Sequence, residues 1–326
     1  MDKVTLGSSR LEVSPIAFGT WQLGGDWGQF DRDEAIAAIR FARQRGINFF
    51  DTAQGYGWGE SERMLGDALR DDLDNRRDEV VIATKGGLRI DPDRGQVRDS
   101  SPEWLREGVR RSLEALQIEH IDLYQVHWPD PRTPLAETGE ALQALVDEGK
   151  IHHVGVSNFT AGQMEELSRA RPVETLQPPY ALFRREIEAE VLPYCAEHDI
   201  GVLVYGPLAH GLLTGTISAG QEFTDDDWRA SSSDFRGDAL ARNVLVVERL
   251  SRFAQERGYT LSQLAIAWTL AHPAVQVSIV GSRSEKHIEE SLGALEVELS
   301  ADELAKIDEI LEGSVQLVGP GPEGIR

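Results

Sequence analysis

Eight short β-rich runs alternate with longer amphipathic runs along nearly the whole chain, and this alternation limits the fold more than any other feature. The runs read as strands fall at 16–19, 47–51, 80–85, 121–127, 151–157, 174–177, 201–205 and 277–280. The amphipathic stretches between them predict helices over 34–45, 61–70, 102–116, 134–148, 161–170 and 187–198. Two more follow the seventh strand, at 240–258 and 261–271, after a long connection over 206–238. The eighth strand is followed by a helix over 285–292 and a last one over 302–311. Local chemistry supports these limits. Asp31 or Asp33 can cap the first helix, Pro102 sits in a first turn, and Gly149 ends a helix. Ahead of the alternation, Val4-Thr5-Leu6 and Leu11-Glu12-Val13 flank Gly7-Ser8-Ser9 and read as a small hairpin.

Strands that are each followed by a helix pair in parallel through right-handed crossovers. Closing eight of them into a barrel leaves no exposed edge. The predicted fold class is therefore α/β: a (β/α)8 TIM barrel with an N-terminal β-hairpin and extra C-terminal helices, one domain over 1–326. With 326 residues, 40% of them hydrophobic, the chain can build a core of that size. The rival is an open doubly wound sheet, which usually carries a nucleotide on a G-x-G-x-x-G turn after its first strand. Gly24-Gly25 and Gly55-Tyr56-Gly57-Trp58-Gly59 lack that spacing, and no G-x-x-x-x-G-K-[ST] sequence occurs.

The formal charge of -22, from 55 acidic against 33 basic residues, argues against a nucleic-acid partner. Lys3, Lys85, Lys150, Lys286 and Lys306 are the only lysines, which fits either GC-rich coding or adaptation to salt. Cys195 stands alone, so no intrachain disulfide forms. Neither a signal-peptide core nor an apolar run of membrane-spanning length is present, so a cytoplasmic protein with no membrane partner is expected. The oligomeric state is not legible. No metal site is expected either. His152 and His153 should face opposite sides of a strand, His120 and His127 are too far apart to pair locally, and there is no cysteine cluster.

In such a barrel the site lies at the C-terminal ends of the strands. Those ends carry polar groups: Asp51 to Tyr56 after strand two, Lys85 after three, His127 after four, Ser157-Asn158 after five, Gln177 after six and Tyr205 after seven. Four of these make a coherent set. A phenol, with a pKa of about 10, is a weak acid catalyst near neutrality. A nearby ammonium stabilises the phenolate, and a carboxylate positions the ammonium and offsets its burial. A neutral imidazole can orient a substrate oxygen. Taken singly, Asp51 and Lys85 could be a structural ion pair, Tyr56 a surface aromatic and His127 a packed core residue. Together at successive strand ends, they point to proton transfer by Tyr56.

The chain resembles the aldo-keto reductase family, in the bacterial branch of general stress and myo-inositol-locus reductases. The likeness rests on GTWQLGG at 19–25, INFFDTAQGYGWGESERMLGDAL at 47–69, VVIATKGG at 80–87 and IDLYQVHWPD at 121–130. It continues through KIHHVGVSNF at 150–159, LQPPYALF at 176–183, YGPLAHGLLTG at 205–215 and VSIVGSRSEKHIEES at 277–291. The resemblance implies NADPH-dependent reduction of a small-molecule aldehyde or ketone, with NADH also possible. Asp51, Tyr56, Lys85 and His127 fall on the family's catalytic positions. Ser157, Asn158 and Gln177 fall on those that hold the nicotinamide carboxamide, and Tyr205 on the one that stacks on its ring. Ser157-Asn158 could also simply cap the next helix, and Tyr205 could be barrel core.

Pro207, Leu208, Gly211 and Leu213 would run beneath the pyrophosphate. Gly281, Ser282, Arg283, His287, Glu290 and Ser291 would meet the adenosine end. There, His287 and Ser291 depart from the family's usual Arg or Gln and Asn. Trp21, Trp58 and Trp128, and less strongly Phe30, are candidates for the substrate wall. The segment 211–238, with Thr224-Asp225-Asp226-Asp227-Trp228 and Ser231-Ser232-Ser233, resembles a loop closing over the cofactor. A short tail after Gly313 implies an open pocket and broad specificity. Two rival functions are an NADPH-binding redox sensor or regulatory subunit with little turnover, and an isomerase or lyase on the same barrel.

Overall fold

A computed structural model describes residues 1–24, 30–224 and 227–318. Its strands run in order as β1 (Val4–Leu6), β2 (Leu11–Val13), β3 (Ile16–Gly19), β4 (Phe49–Asp51), β5 (Val81–Gly86) and β6 (Leu88–Asp91). They continue as β7 (Gly95–Arg98), β8 (Ile121–Val126), β9 (Ile151–Ser157), β10 (Thr175–Gln177), β11 (Gly201–Tyr205) and β12 (Val277–Gly281). Eight of them close into a barrel in the cyclic order β3, β4, β5, β8, β9, β10, β11, β12. Every pairing around the ring is parallel. The predicted (β/α)8 barrel is therefore the observed fold.

Side chains alternate between two cores, as the two-residue period of a strand requires. Ala17, Phe49, Val81, Ala83, Leu123, Leu203, Val277 and Ile279 fill the barrel. Their neighbours Ile16, Phe18, Phe50, Ile82 and Val280 pack outward with residues of the surrounding helices. Burying one such Phe contributes about 1.5–3 kcal/mol.

The expected hairpin pairs β1 with β2 antiparallel, Val4 opposite Val13. Leu6 and Val13 join the inner cluster, so the hairpin plugs one end of the barrel. Gly7 turns against Gly201 with φ +52, and a Cβ there would lie 2.1 Å from the Gly201 nitrogen. A larger residue would lift the plug.

Asp31 caps the helix Arg32–Gln44, accepting from the Asp33 and Glu34 amides. Ser101 caps Pro102–Leu116. The extra C-terminal helices are Gly237–Gln255, Leu261–Leu270 and Ala301–Leu311. The predicted helix over 187–198 is instead a 3-10 turn, Glu186–Glu188, and a short helix, Val191–Glu197. Between them Glu190 adopts φ -137, outside the helical region.

Over 88–99, where no element is expected from the sequence, β6 and β7 form a hairpin with Leu88 opposite Arg98 and Asp91 opposite Gly95. The Asp91 side chain closes its turn by accepting from the Asp93 and Arg94 amides, both at 3.1 Å. Each strand has four residues and each face of the hairpin mixes apolar and polar side chains, so the pattern is too short to stand out. In the connection over 206–238, 3-10 turns occur at Ala209–Thr214, Trp228–Ala230 and Ser233–Phe235. Asp225 and Asp226 of the expected closing loop lie outside the described residues. Among the described residues, no helix is long and apolar enough to cross a membrane.

Candidate active site

Asp51, Lys85 and His127 converge because each continues an inward row of the barrel. Phe49 leads to Asp51, Ala83 to Lys85, and Leu123 through Gln125 to His127. Lys85 Nζ donates to Asp51 Oδ1 at 2.7 Å, to the Thr52 carbonyl at 2.9 Å and to Tyr56 OH at 3.3 Å. Lys85 is fully buried and Asp51 nearly so. The Tyr56 ring meets His127 edge-on at 5.7 Å between centroids and stacks on Trp21 at 6.3 Å. A phenol with an ammonium behind it and an imidazole beside it is the arrangement expected from the strand ends.

A cleft of about 400 Å³ runs from this cluster along the strand ends. Trp21, Asp51, Tyr56 and His127 line it together with Ser157, Asn158, Gln177 and Tyr205. Pro207, Leu208, Gly211, Gly281, His287, Glu290 and Ser291 complete the lining. Ser157, Asn158, Gln177 and Tyr205 are already ordered by hydrogen bonds. Tyr205 OH donates to Asn158 Oδ1 at 2.9 Å, Asn158 Nδ2 donates to the His127 carbonyl at 3.1 Å, and Ser157 Oγ donates to the Gln177 carbonyl at 2.8 Å. Asn158 has φ +63. This left-handed turn is one that Asn tolerates better than most residues.

A model of the Aldo/keto reductase family matches residues 15–312. The chain belongs to the aldo/keto reductase family. It is similar to "Aldo-keto reductase YhdN" of Bacillus subtilis (strain 168), 38% identical over 98% of this chain and 97% of that protein. It is also similar to the "NADH-specific methylglyoxal reductase" of Escherichia coli (strain K12), 33% identical over 96% of this chain and 99% of the other. Among solved structures it resembles the aldo/keto reductase from Klebsiella pneumoniae in complex with NADP and acetate. That likeness has a TM-score of 0.75, 30% identity and 98% coverage of both chains.

Several singled-out residues of this aldo/keto reductase lie off the cleft. Leu213 is fully buried in the large helix-side core. Ser282 folds onto its own turn, its Oγ donating to the Ser284 carbonyl at 2.9 Å. Arg283 donates to the Gln22 carbonyl at 2.6 Å and lies over the Phe30 ring at 4.8 Å. Trp58 is exposed, with φ +51, and Trp128 carries Arg98 over its ring at 4.9 Å. Of the three tryptophans, only Trp21 lines the cleft.

Residues not expected there from the sequence also enter the site. His210 lines the cleft with φ +55, and its ring meets Trp228 edge-on at 4.9 Å and Trp21 at 6.5 Å. Burial pushes the His210 imidazole down to about 4, helped by the Arg184 and Arg229 charges, so it is neutral near pH 7. Arg229, itself in the cleft, grips Asp227 and donates to the His210 carbonyl at 3.1 Å. The segment after the seventh barrel strand is thus tied to the cleft wall through His210. No local period marks that tie, because it joins residues a loop apart.

Behind β5 lies Glu62, fully buried, its Oε1 accepting from Thr84 Oγ1 at 2.7 Å. Burial raises its pKa, against nearby hydroxyls and the Arg63 and Lys85 charges. A carboxyl raised on folding contributes full stability below its unfolded pKa and loses it as pH rises through the folded value. The loss is at most about 1.4 kcal/mol per pH unit. Glu62→Gln removes that titration. Its thermal midpoint relative to the parent should climb from pH 5 to pH 8; a difference constant with pH would refute the assignment.

At the opposite end of the barrel, His120, Asp122 and His152 bring metal-type donors together. The two imidazoles stack at 4.1 Å between centroids. Asp122 Oδ2 is already engaged by Arg77 and by the Ile82 amide, both at 2.7 Å. Asp122 Oδ1 lies 3.8 Å from His120 Nε2.

Proposed function

We propose that this aldo/keto reductase converts an aldehyde or ketone to the alcohol with NADPH, Tyr56 giving the proton and His127 orienting the carbonyl. The observation that carries the reading is the position of Lys85 Nζ, 3.3 Å from Tyr56 OH and 2.7 Å from Asp51 Oδ1, behind a cleft that Tyr56 and His127 line together with Ser157, Asn158, Gln177, Tyr205 and Glu290. The residues fit such a guest. Ser157, Asn158 and Gln177 offer amide and hydroxyl groups to a carboxamide, and Tyr205 offers a ring face. Pro207, Leu208 and Gly211 leave a smooth channel, and Glu290 offers an acceptor to an adenine amino group. When bound, the nicotinamide supplies hydride to the carbonyl carbon.

The chain's own groups do the rest. Tyr56 OH releases its proton to the substrate oxygen, and the Lys85 ammonium stabilises the phenolate left behind. Asp51 holds Lys85 in place and compensates its burial. Tyr205 and Trp21 wall the reacting end and exclude water. In the reverse direction the Tyr56 phenolate would take the proton of an alcohol whose hydride the oxidised nicotinamide would accept.

Rapid mixing with NADPH and 4-nitrobenzaldehyde tests the reading. Cofactor oxidation is expected. Tight NADPH binding without oxidation would replace the reductase with a nicotinamide sensor. The planar guanidinium of Arg283 suits a 2′-phosphate, once freed from the Gln22 carbonyl. Arg283→Ala should weaken NADPH binding by roughly tenfold, about 1.4 kcal/mol. NADH binding should change less than about twofold on the same scale. Equal losses for both cofactors would remove Arg283 from phosphate recognition.

A further inference from the structure

Gln125 is a fully buried amide inside the barrel, between Leu123 of the apolar interior and His127 of the active site. It stands beside Lys85 on β5 and beside Gly155 on β9. A Cβ on Gly155 would lie 3.0 Å from Gln125 Cγ and 2.2 Å from Thr175 Oγ1. The strand therefore gives up a side chain where the amide is seated. Gln125 Nε2 donates to Asp51 Oδ2 at 3.3 Å. Gln177 Nε2 donates to the same oxygen at 2.9 Å and lies 3.3 Å from Gln125 Oε1. An amide oxygen turned toward the carboxylate would be repelled, so both amides present N–H to Asp51.

Asp51 is thus held from two sides: Oδ1 by Lys85, Oδ2 by the two glutamines. On the reading above, Gln177 also serves the nicotinamide carboxamide. A cofactor that draws Gln177 away leaves Gln125 as the side-chain amide on Oδ2. We infer that Gln125 is a positioning residue for the reaction: it keeps Asp51 aimed at Lys85, and through Lys85 at Tyr56, while Gln177 is engaged by the cofactor. It touches neither substrate nor cofactor.

Gln125→Met keeps the volume and removes the amide. Expected are a fall in kcat of about tenfold, about 1.4 kcal/mol, with KM for the carbonyl and Kd for NADPH within twofold of the parent. Gln177→Met, which removes an Asp51 donor and a carboxamide contact together, should lower kcat and also raise the NADPH Kd several-fold. If Gln125→Met folds poorly, Gln125→Asn keeps the amide one methylene short and should lose part of kcat with the same unchanged Kd. An unchanged kcat in Gln125→Met, with an active parent, would reduce Gln125 to barrel filling. So would a fall in kcat matched by a parallel loss of NADPH affinity. A parent that binds NADPH without reducing any carbonyl would remove the functional reading, and this inference with it.

Discussion

Tyr56→Phe should lower kcat for carbonyl reduction by on the order of 10²–10⁴, the span that a positioned general acid contributes. Binding of NADPH should stay within about twofold, a small change on the affinity scale. The ring contacts with Trp21 at 6.3 Å and His127 at 5.7 Å do not need the hydroxyl, so the fold should be unaffected. The 3.3 Å contact from Lys85 is lost, and Lys85 keeps Asp51 and the Thr52 carbonyl. Stopped-flow single turnovers would separate hydride transfer from product release. A variant retaining more than about a tenth of the parent rate would fall outside the general-acid range and remove Tyr56 as the donor.

Lys85→Met should cost both activity and stability, for separable reasons. Lys85 and Asp51 are a buried pair with side chains 0% and 4% exposed. Removing one partner strands the other charge in the barrel, a loss of about 3–5 kcal/mol. The glutamine donors cushion Asp51 but do not neutralise it. The catalytic loss should match that of Tyr56→Phe, because the phenolate loses its cation. Adding Asp51→Asn removes the stranded charge, so the double variant should recover most of the denaturation midpoint and none of the turnover. Recovery of turnover would mean that the pair is structural. No recovery of stability would mean that the single variant fails by packing rather than by charge.

The sequence by itself determined the barrel and the positions of its acid, base and imidazole groups. The alternation of short β-rich runs with amphipathic stretches leaves few topologies, and polar residues closing apolar strands mark the reactive end of a closed barrel. Asp51, Lys85 and His127 were legible because strand period and strand end are local properties. Gln125 also carried a local sign, a polar residue in the inward row of IDLYQVHW. Its meaning appears only when Asp51 and Gln177 arrive from other strands.

Tertiary structure alone decided the rest. Trp21, Trp58 and Trp128 look alike in sequence, yet only Trp21 faces the cleft, because chain reversals after each strand set where a side chain points. The hairpin β6–β7 and the tie from Arg229 to His210 depend on hydrogen bonds across loops, which leave no periodic trace. Periodicity reports which face of an element is buried. It does not report which distant residues share that face, and the support behind Asp51 is a matter of sharing.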